Sequence, residues 1–421
     1  MIFPNVSFSK NFVFVLILFT SIFSSSYILF KFPFEFYFHY LLVIPLLPIL
    51  VVKNGIPKFY IIIFTYLGFV GIINVINHNN LLFTFIKVYG GLLVIAYFFY
   101  GLISQYNFNL KLIFYWYCKL CYILSFIGII QIISYLLNFK LGYDYSFLFN
   151  KWRVISGGLI GIRVNSILAE PSQFGIVIAP ATYISVKNLI SKKNIIFNKY
   201  QSLMVIINVI LTASTIAYAG LLFCILLSTK TFRLRYLGFG LIISVVLFFI
   251  SYNYVNEFKL RVDAAKGLWI DKNFGIKNTN NSSFVLYNNL NIAFESLSNH
   301  PFLGTGLGSH ESAFKKYSLT KTMLNYNFEF NIKDGNSLFV RLCTETGLIG
   351  LIFVFYILIY GFIYKTNMSD SEENTHELIS HSLFIILVLT LLRQGNYMLN
   401  GLPLIFFVYY YNGKNYKTLN E

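Results

Sequence analysis

The sequence predicts an all-α polytopic membrane protein of about twelve transmembrane helices, with one large extracytoplasmic loop late in the chain. Three observations predict this. Of 421 residues, 57% are hydrophobic and only 11% are charged, where soluble domains carry about a quarter charged residues. Apolar runs of the roughly 17 to 25 residues needed to span a bilayer recur from Phe12 to Tyr411, and in lipid a helix satisfies its own backbone polar groups. Val255 to Ser337 is the one long stretch too polar to sit in hydrocarbon. The expected organisation is residues 1–254 as about nine helices with an outer loop at 138–170, residues 255–337 as the large extracytoplasmic loop, and residues 338–421 as three further helices with a cytoplasmic C-terminus.

The first five helices are expected at about 12–30, 38–52, 58–75, 81–103 and 112–137, separated by polar or Pro/Gly breaks. Lys10 precedes the first apolar run and no small-residue cleavage site follows it, which reads as a retained helix rather than a signal peptide. Lys10, the Lys53/Lys58 pair and Lys111 mark alternate loops, so the positive-inside bias places the N-terminus in the cytoplasm. A sixth helix is expected from about Pro171 to Val186. Lys187, Lys192, Lys193 and Lys199 in the next loop, and Lys230, Arg233 and Arg235 further on, are cytoplasmic by the same bias.

Two cytoplasmic clusters require an even number of crossings between them. Only about 27 apolar-rich residues intervene, broken by T-A-S-T-I-A-Y-A-G (Thr212 to Gly220), so two short helices or a re-entrant pair are expected with this turn directed outward. Two helices of about 13 residues would each cover about 20 Å of a roughly 30 Å core, which is tolerable only where the turn lines a protein cavity. A ninth helix at about 236–254 leads out to the large loop and a tenth at about 338–364 returns. The last two, at about 379–393 and 397–412, turn at Arg393 to Asn396 on the outer side.

The net charge of +16 comes from residues scattered between apolar runs rather than gathered on one soluble face, which points away from nucleic acid. Cys118, Cys121, Cys224 and Cys343 all fall inside apolar runs and supply no disulfide framework; the C-x-x-C of Cys118 and Cys121 reads as helix packing.

Of seven arginines, only Arg233 and Arg235 are cytoplasmic in this topology. Arg153, Arg163, Arg261, Arg341 and Arg393 fall in outer loops or at outer helix ends, against the positive-inside bias. Arg is suited to bidentate binding of phosphate oxygens, so these five suggest a site for an anionic amphiphile, with Tyr397 near Arg393 in the same group. Singly, each can instead pair with a nearby acid, as Arg341 can with Glu345 four residues on. Glu170 directly precedes Pro171 and is both a helix start and a candidate catalytic carboxylate. Gly304, Gly306 and Gly308 alternate after His300 and Pro301 in the manner of a phosphate-cradling loop, though without the strand and helix that such loops join. His300 and His310 are candidate bases or simply solvated.

Arg163 with Glu170-Pro171-Ser172, then N-H-P-F-L-G-T-G-L-G from Asn299, then N-S-L-F-V-R-L-C-T-E-T-G-L-I-G from Asn336, together resemble the O-antigen polymerase and O-antigen ligase superfamily of bacterial envelope enzymes. The resemblance implies glycosyl transfer at the outer face of the bacterial cytoplasmic membrane, from a polyprenyl-pyrophosphate-linked oligosaccharide. It also implies membrane lipids, a flippase and a chain-length regulator as partners. The ligase branch has an Arg beside the Ser of the short helix turn and a His near the Asn of the late loop. This chain has neither in place, in Thr212 to Gly220 or in Asp334-Gly335-Asn336, which favours polymerase. Glu170 is the first choice to take a proton from the acceptor hydroxyl and Asp334 the second. Arg153, Arg163, Ser172, Arg261, His300, Asn336, Arg341, Arg393 and Tyr397 are expected to bind pyrophosphate or glycan. No metal or other cofactor is expected. A transporter would call for inverted repeats and mid-membrane ionisable groups, and a scaffold would not need five outward arginines.

Overall fold

The computed structural model describes residues 8–31, 34–228, 245–246, 249, 252–253, 256–272, 281–322, 329–364 and 371–420. Their order is α1 (Phe8–Phe23), β1 (Ile28–Phe30), β2 (Phe36–Tyr37), α2 (Tyr40–Asn54), α3 (Lys58–Ile76), α4 (Leu82–Gln105), α5 (Leu110–Leu136), α6 (Lys140–Tyr143), α7 (Pro171–Val177), α8 (Ala179–Ser191), α9 (Lys199–Leu211) and α10 (Thr215–Ser228). There follow α11 (Asn256–Trp269), α12 (Asn281–Asn299), α13 (His310–Tyr317), α14 (Leu338–Glu345), α15 (Gly347–Gly361), α16 (Ser371–Arg393) and α17 (Leu402–Asn420). The protein is mostly helical. Among the described residues four helices can cross a membrane by length and apolarity, α3, α4, α5 and the Thr375–Arg393 part of α16, and the bent pair α7–α8 makes a fifth if taken as one span. The sequence expectation of about twelve is therefore not reached by this measure: Asn11–Phe23, α2, α9, α10 and α15 are apolar but shorter, and the ninth expected helix falls largely outside the described residues.

The chain divides into two units. The first comprises Met1–Thr65, Tyr89–Ser228 and Phe353–Glu421. At its centre is α8, in which every residue from Ala179 to Asn188 is buried. Small side chains there (Ala179, Ala181, Ser185) let α5, α9, α10 and α16 pack close around it, and a helix buried on all sides is what an apolar run without amphipathic period becomes. The expected single sixth helix is instead two, bent by 58° at Ile178, because Pro180 has no N–H for the helix ladder and its ring crowds the preceding turn. Two further expectations are corrected here. The first helix stops at Phe23, not near residue 30, and the chain then pairs as a two-stranded ribbon with Ile28 opposite Tyr37. Lys187, assigned to a cytoplasmic loop, is buried within α8. The short pair α9–α10, of 13 and 14 residues joined at Thr212–Ser214, has the expected form. Its start is fixed by a reciprocal capping box between Asn198 and Gln201.

The second unit comprises Tyr66–Val88 and Thr229–Ile352. Among the described residues of 255–337, α12 packs against α11, α13 and α14. Leu268 and Phe284 form one small apolar core, and Ile292, Ala313 and Phe314 another. The expected tenth helix, 338–364, is broken between Glu345 and Gly347. Gly347 has φ +60°, and a Cβ there would lie 2.7 Å from the carbonyl oxygens of Pro301 and Phe302. The segment 301–306 fills the break: Thr305 N donates to Thr344 O (3.0 Å), Gly306 N to Glu345 O (2.9 Å), Leu348 N to Pro301 O (2.8 Å) and Ile349 N to Phe302 O (3.2 Å). Gly304→Ala would place a methyl 2.6 Å from the backbone of Glu345 and Thr346 at φ +60°. The strained backbone and the overlap should together cost about 2–4 kcal/mol. The expected readout is a lower melting temperature in detergent, and an unchanged one would show that the break tolerates a side chain.

Candidate functional site

At one end of the first unit, the loop 138–170 is stitched to the bundle by buried polar groups. Gln131 of α5 accepts from Ser166 N (3.0 Å) and donates to Asn165 Oδ1 (3.0 Å), while Trp152 Nε1 donates to Ser166 O (2.7 Å). Arg163 N donates to Ile155 O (2.9 Å), and Val164 N donates to Leu211 O (3.1 Å). Arg163 Nε then donates to Thr212 O (3.1 Å). The carbonyl it reaches is at the end of α9, where helix partners run out. Arg163 thus sits beside the Thr212–Ser214 turn.

Glu170 caps the start of α7 with its side chain exposed, and its carboxylate accepts from Ser172 Oγ (3.0 Å) rather than from the helix backbone. Close glycine contacts set the level of the neighbouring helices: Gly175 of α7 lies against Ala217 of α10, and Gly220 of α10 against Leu389 of α16. Arg393, one turn beyond Leu389, therefore ends α16 at the same end of the bundle as Glu170 and Arg163. Tyr397 is buried just beyond it, and Arg153 is exposed on the loop 138–170. Arg163, Glu170, Ser172 and Arg393 are the predicted residues brought to one end of this unit.

In the second unit the glycine run is not a phosphate cradle. The N–H groups of Thr305 and Gly306 are spent on α14, and a Cβ on Gly306 would lie 3.0 Å from the Cα of Gly71, one on Gly308 2.9 Å from Thr84 O. The alternating glycines let the loop lie directly on α3 and α4. Arg341 is buried and donates through Nε to the fully buried Glu345 (2.7 Å), so the pairing reading holds for this arginine in the present conformation. Arg261 lies on α11, and its side chain is outside the described residues. His300 is half-buried, and burial followed by the positive charge of Lys316 lowers its pKa. Asp334 Oδ1 accepts from Asn336 N (3.1 Å), which folds the D-G-N turn back on itself with Asn336 at φ +51°.

The residue that sequence reasoning undervalued is His310. It is fully buried, and its Nδ1 lies 3.3 Å from Thr344 Oγ1. That hydroxyl also lies within hydrogen-bonding distance of the helix carbonyls of Val340 and Arg341. Among the described residues Nε2 has no hydrogen-bond partner, and it faces the 334–336 turn, where a Cβ on Gly335 would lie 3.0 Å from it. Asn289 Nδ2 holds that turn through Gly335 O (2.9 Å). In sequence His310 is 25 residues from Gly335, and only the packing of α13 on α14 joins them. No protein-family model matches the chain, and no curated protein matches it. The site is therefore read from its own geometry. Among the described residues no cluster of three His, Cys, Asp or Glu side chains is placed to hold a metal ion.

Burial, and then the charge of Arg341, push the pKa of His310 from 6.5 down to about 3. A depressed histidine contributes stability that is complete above the unfolded pKa and is lost as pH falls from about 6.5 toward 3. The melting temperature should decline across that window, and His310→Gln should flatten the decline; an unchanged slope would show that other groups carry it. Removing Arg341 should cost about 3–5 kcal/mol, because the fully buried Glu345 carboxylate loses the charge it is paired with. The double replacement Arg341→Met with Glu345→Leu should recover most of the loss in thermal unfolding.

Proposed function

We propose that this chain is an O-antigen or capsular/exopolysaccharide repeat-unit polymerase. It would transfer glycan from a polyprenyl-pyrophosphate-linked oligosaccharide to another lipid-linked repeat at the outer face of the bacterial cytoplasmic membrane. The observation that carries the reading is the placement of an exposed carboxylate, Glu170, at the same end of one helical bundle as Arg163 and Arg393. Glu170 takes the proton of the acceptor hydroxyl as its oxygen bonds to the anomeric carbon. The bond from that carbon to the pyrophosphate oxygen breaks, and the electron pair leaves with the pyrophosphate, whose charge the guanidinium groups stabilise. Ser172 orients the carboxylate through its hydroxyl.

A specific observation favours the ligase alternative, in which a different glycolipid is the acceptor. The Arg that the sequence lacks within Thr212 to Gly220 has a counterpart through space in Arg163, beside Thr212–Ser214. The test is elongation by purified protein. A polymerase extends a lipid-linked repeat with no other acceptor present, and a strain lacking the gene makes single repeats but no long chains. Full-length chains accumulating on the polyprenyl carrier in that strain would mark a ligase.

Glu170→Gln should lower the rate by about 10²- to 10⁴-fold with the protein still in the membrane, and normal elongation would reduce Glu170 to a helix start. Arg163→Lys and Arg393→Lys keep the charge and lose the planar fork, so activity should fall sharply in both. Cysteine at Lys333 should label from outside the cell and cysteine at Lys193 should not; the reverse would overturn the orientation.

A further inference from the structure

The sequence places 255–337 wholly outside the bilayer, yet one part of it carries the opposite signature. Phe302 and Leu303 are 67% and 43% exposed, at the tip of the segment that fills the α14–α15 break. Leu348, Ile349 and Ile352 on the adjoining start of α15 are exposed as well, as are Phe69, Ile72 and Ile76 on α3 and Leu82, Phe83 and Ile86 on α4. All of these belong to the second unit. Helices α3 and α4 have the length and apolarity to cross a membrane, so their bare aliphatic faces are lipid-facing there. The loop is tied to both: Gly306 packs on Gly71, Gly308 on Thr84, and Asn80 Nδ2 donates to Leu307 O (2.9 Å). Gly71 lies about 8 Å along α3 from its end at Ile76, at about 1.5 Å per residue.

Irregular backbone enters hydrocarbon only where its polar groups are satisfied by protein. Four hydrogen bonds between the break and the loop supply part of that condition. The Thr344 and Glu345 carbonyls, at the end of α14, accept from Thr305 and Gly306; the Leu348 and Ile349 N–H groups, at the start of α15, donate to Pro301 and Phe302. Pro301 has no N–H of its own. We infer that Pro301–Gly306 is a re-entrant plug set within the membrane, with Phe302 and Leu303 against lipid acyl chains. Lipid is the occupant because the tip continues the faces of α3, α4 and α15.

Nitroxide labels at Phe302→Cys and Leu303→Cys in proteoliposomes test this, with Ile352→Cys as the lipid-facing reference and Glu295→Cys and Lys333→Cys as aqueous references. All four native cysteines are buried, and background labelling is measured on the unsubstituted protein. The ratio of oxygen to nickel-chelate accessibility at 302 and 303 should rise to that at 352. A ratio matching 295 and 333, or exclusion of both reagents, would overturn the plug. Should the labels disturb the fold, Phe302→Trp that elutes as a single species should be quenched by brominated acyl chains beyond the unsubstituted protein, and equal quenching would count against it.

Discussion

Four backbone hydrogen bonds across the gap between α14 and α15 organise the second unit, because they settle polar groups that two helix ends would otherwise leave open. Two glycines are required for the approach: Gly304 and Gly347 each stand where a side chain would meet the other segment's backbone. With the loop fixed there, Gly306 and Gly308 reach α3 and α4, and Ser309 delivers His310 into the interior. Glu345 serves twice, its carbonyl accepting from the loop and its carboxylate from Arg341. A buried unpaired polar group costs about 1–3 kcal/mol, so such an arrangement is kept whole or lost whole.

The first unit meets the same constraint with side chains. Between α8 and α16, Lys187 Nζ lies 3.0 Å from Glu377 Oε1, and one turn along each helix Tyr183 OH lies 3.0 Å from His381 Nδ1. These two rungs fix the antiparallel register of the two helices. His381 Nε2 continues to Ile363 O (2.8 Å), tying the stretch after α15 to the same ladder. Asn188, the next polar residue of α8, organises the turn into α9 through Phe197 O, Ser202 Oγ and Ile195 N.

Much of the helix placement was legible in apolar length and polar breaks: α2 to α5 and the α9–α10 pair lie within a few residues of expectation, because long uninterrupted runs leave the backbone no other solution. The bend at Ile178 was legible in Pro180 but absorbed into one span. The break at Gly347 was not, since what stops the helix is the loop 301–306, some forty residues earlier in the chain. Lys187 read as a topological charge because its partner, Glu377, is 190 positions away. The candidate site divides in the same way. Glu170 announced itself beside Pro171, whereas His310 and Arg163 gain their meaning from what packs against them.

The distance along the chain between Asn80 and Leu307, 227 positions, has a consequence for biogenesis. The α3–α4 hairpin leaves the ribosome long before the glycine loop that packs on it, and that loop in turn precedes the carbonyls of Thr344 and Glu345 that receive its N–H groups. Until residue 349 has been made, the second unit holds a hairpin with a bare face and a segment with open backbone groups. A nascent chain stalled before that point is therefore the species most in need of an insertase or chaperone to shield it.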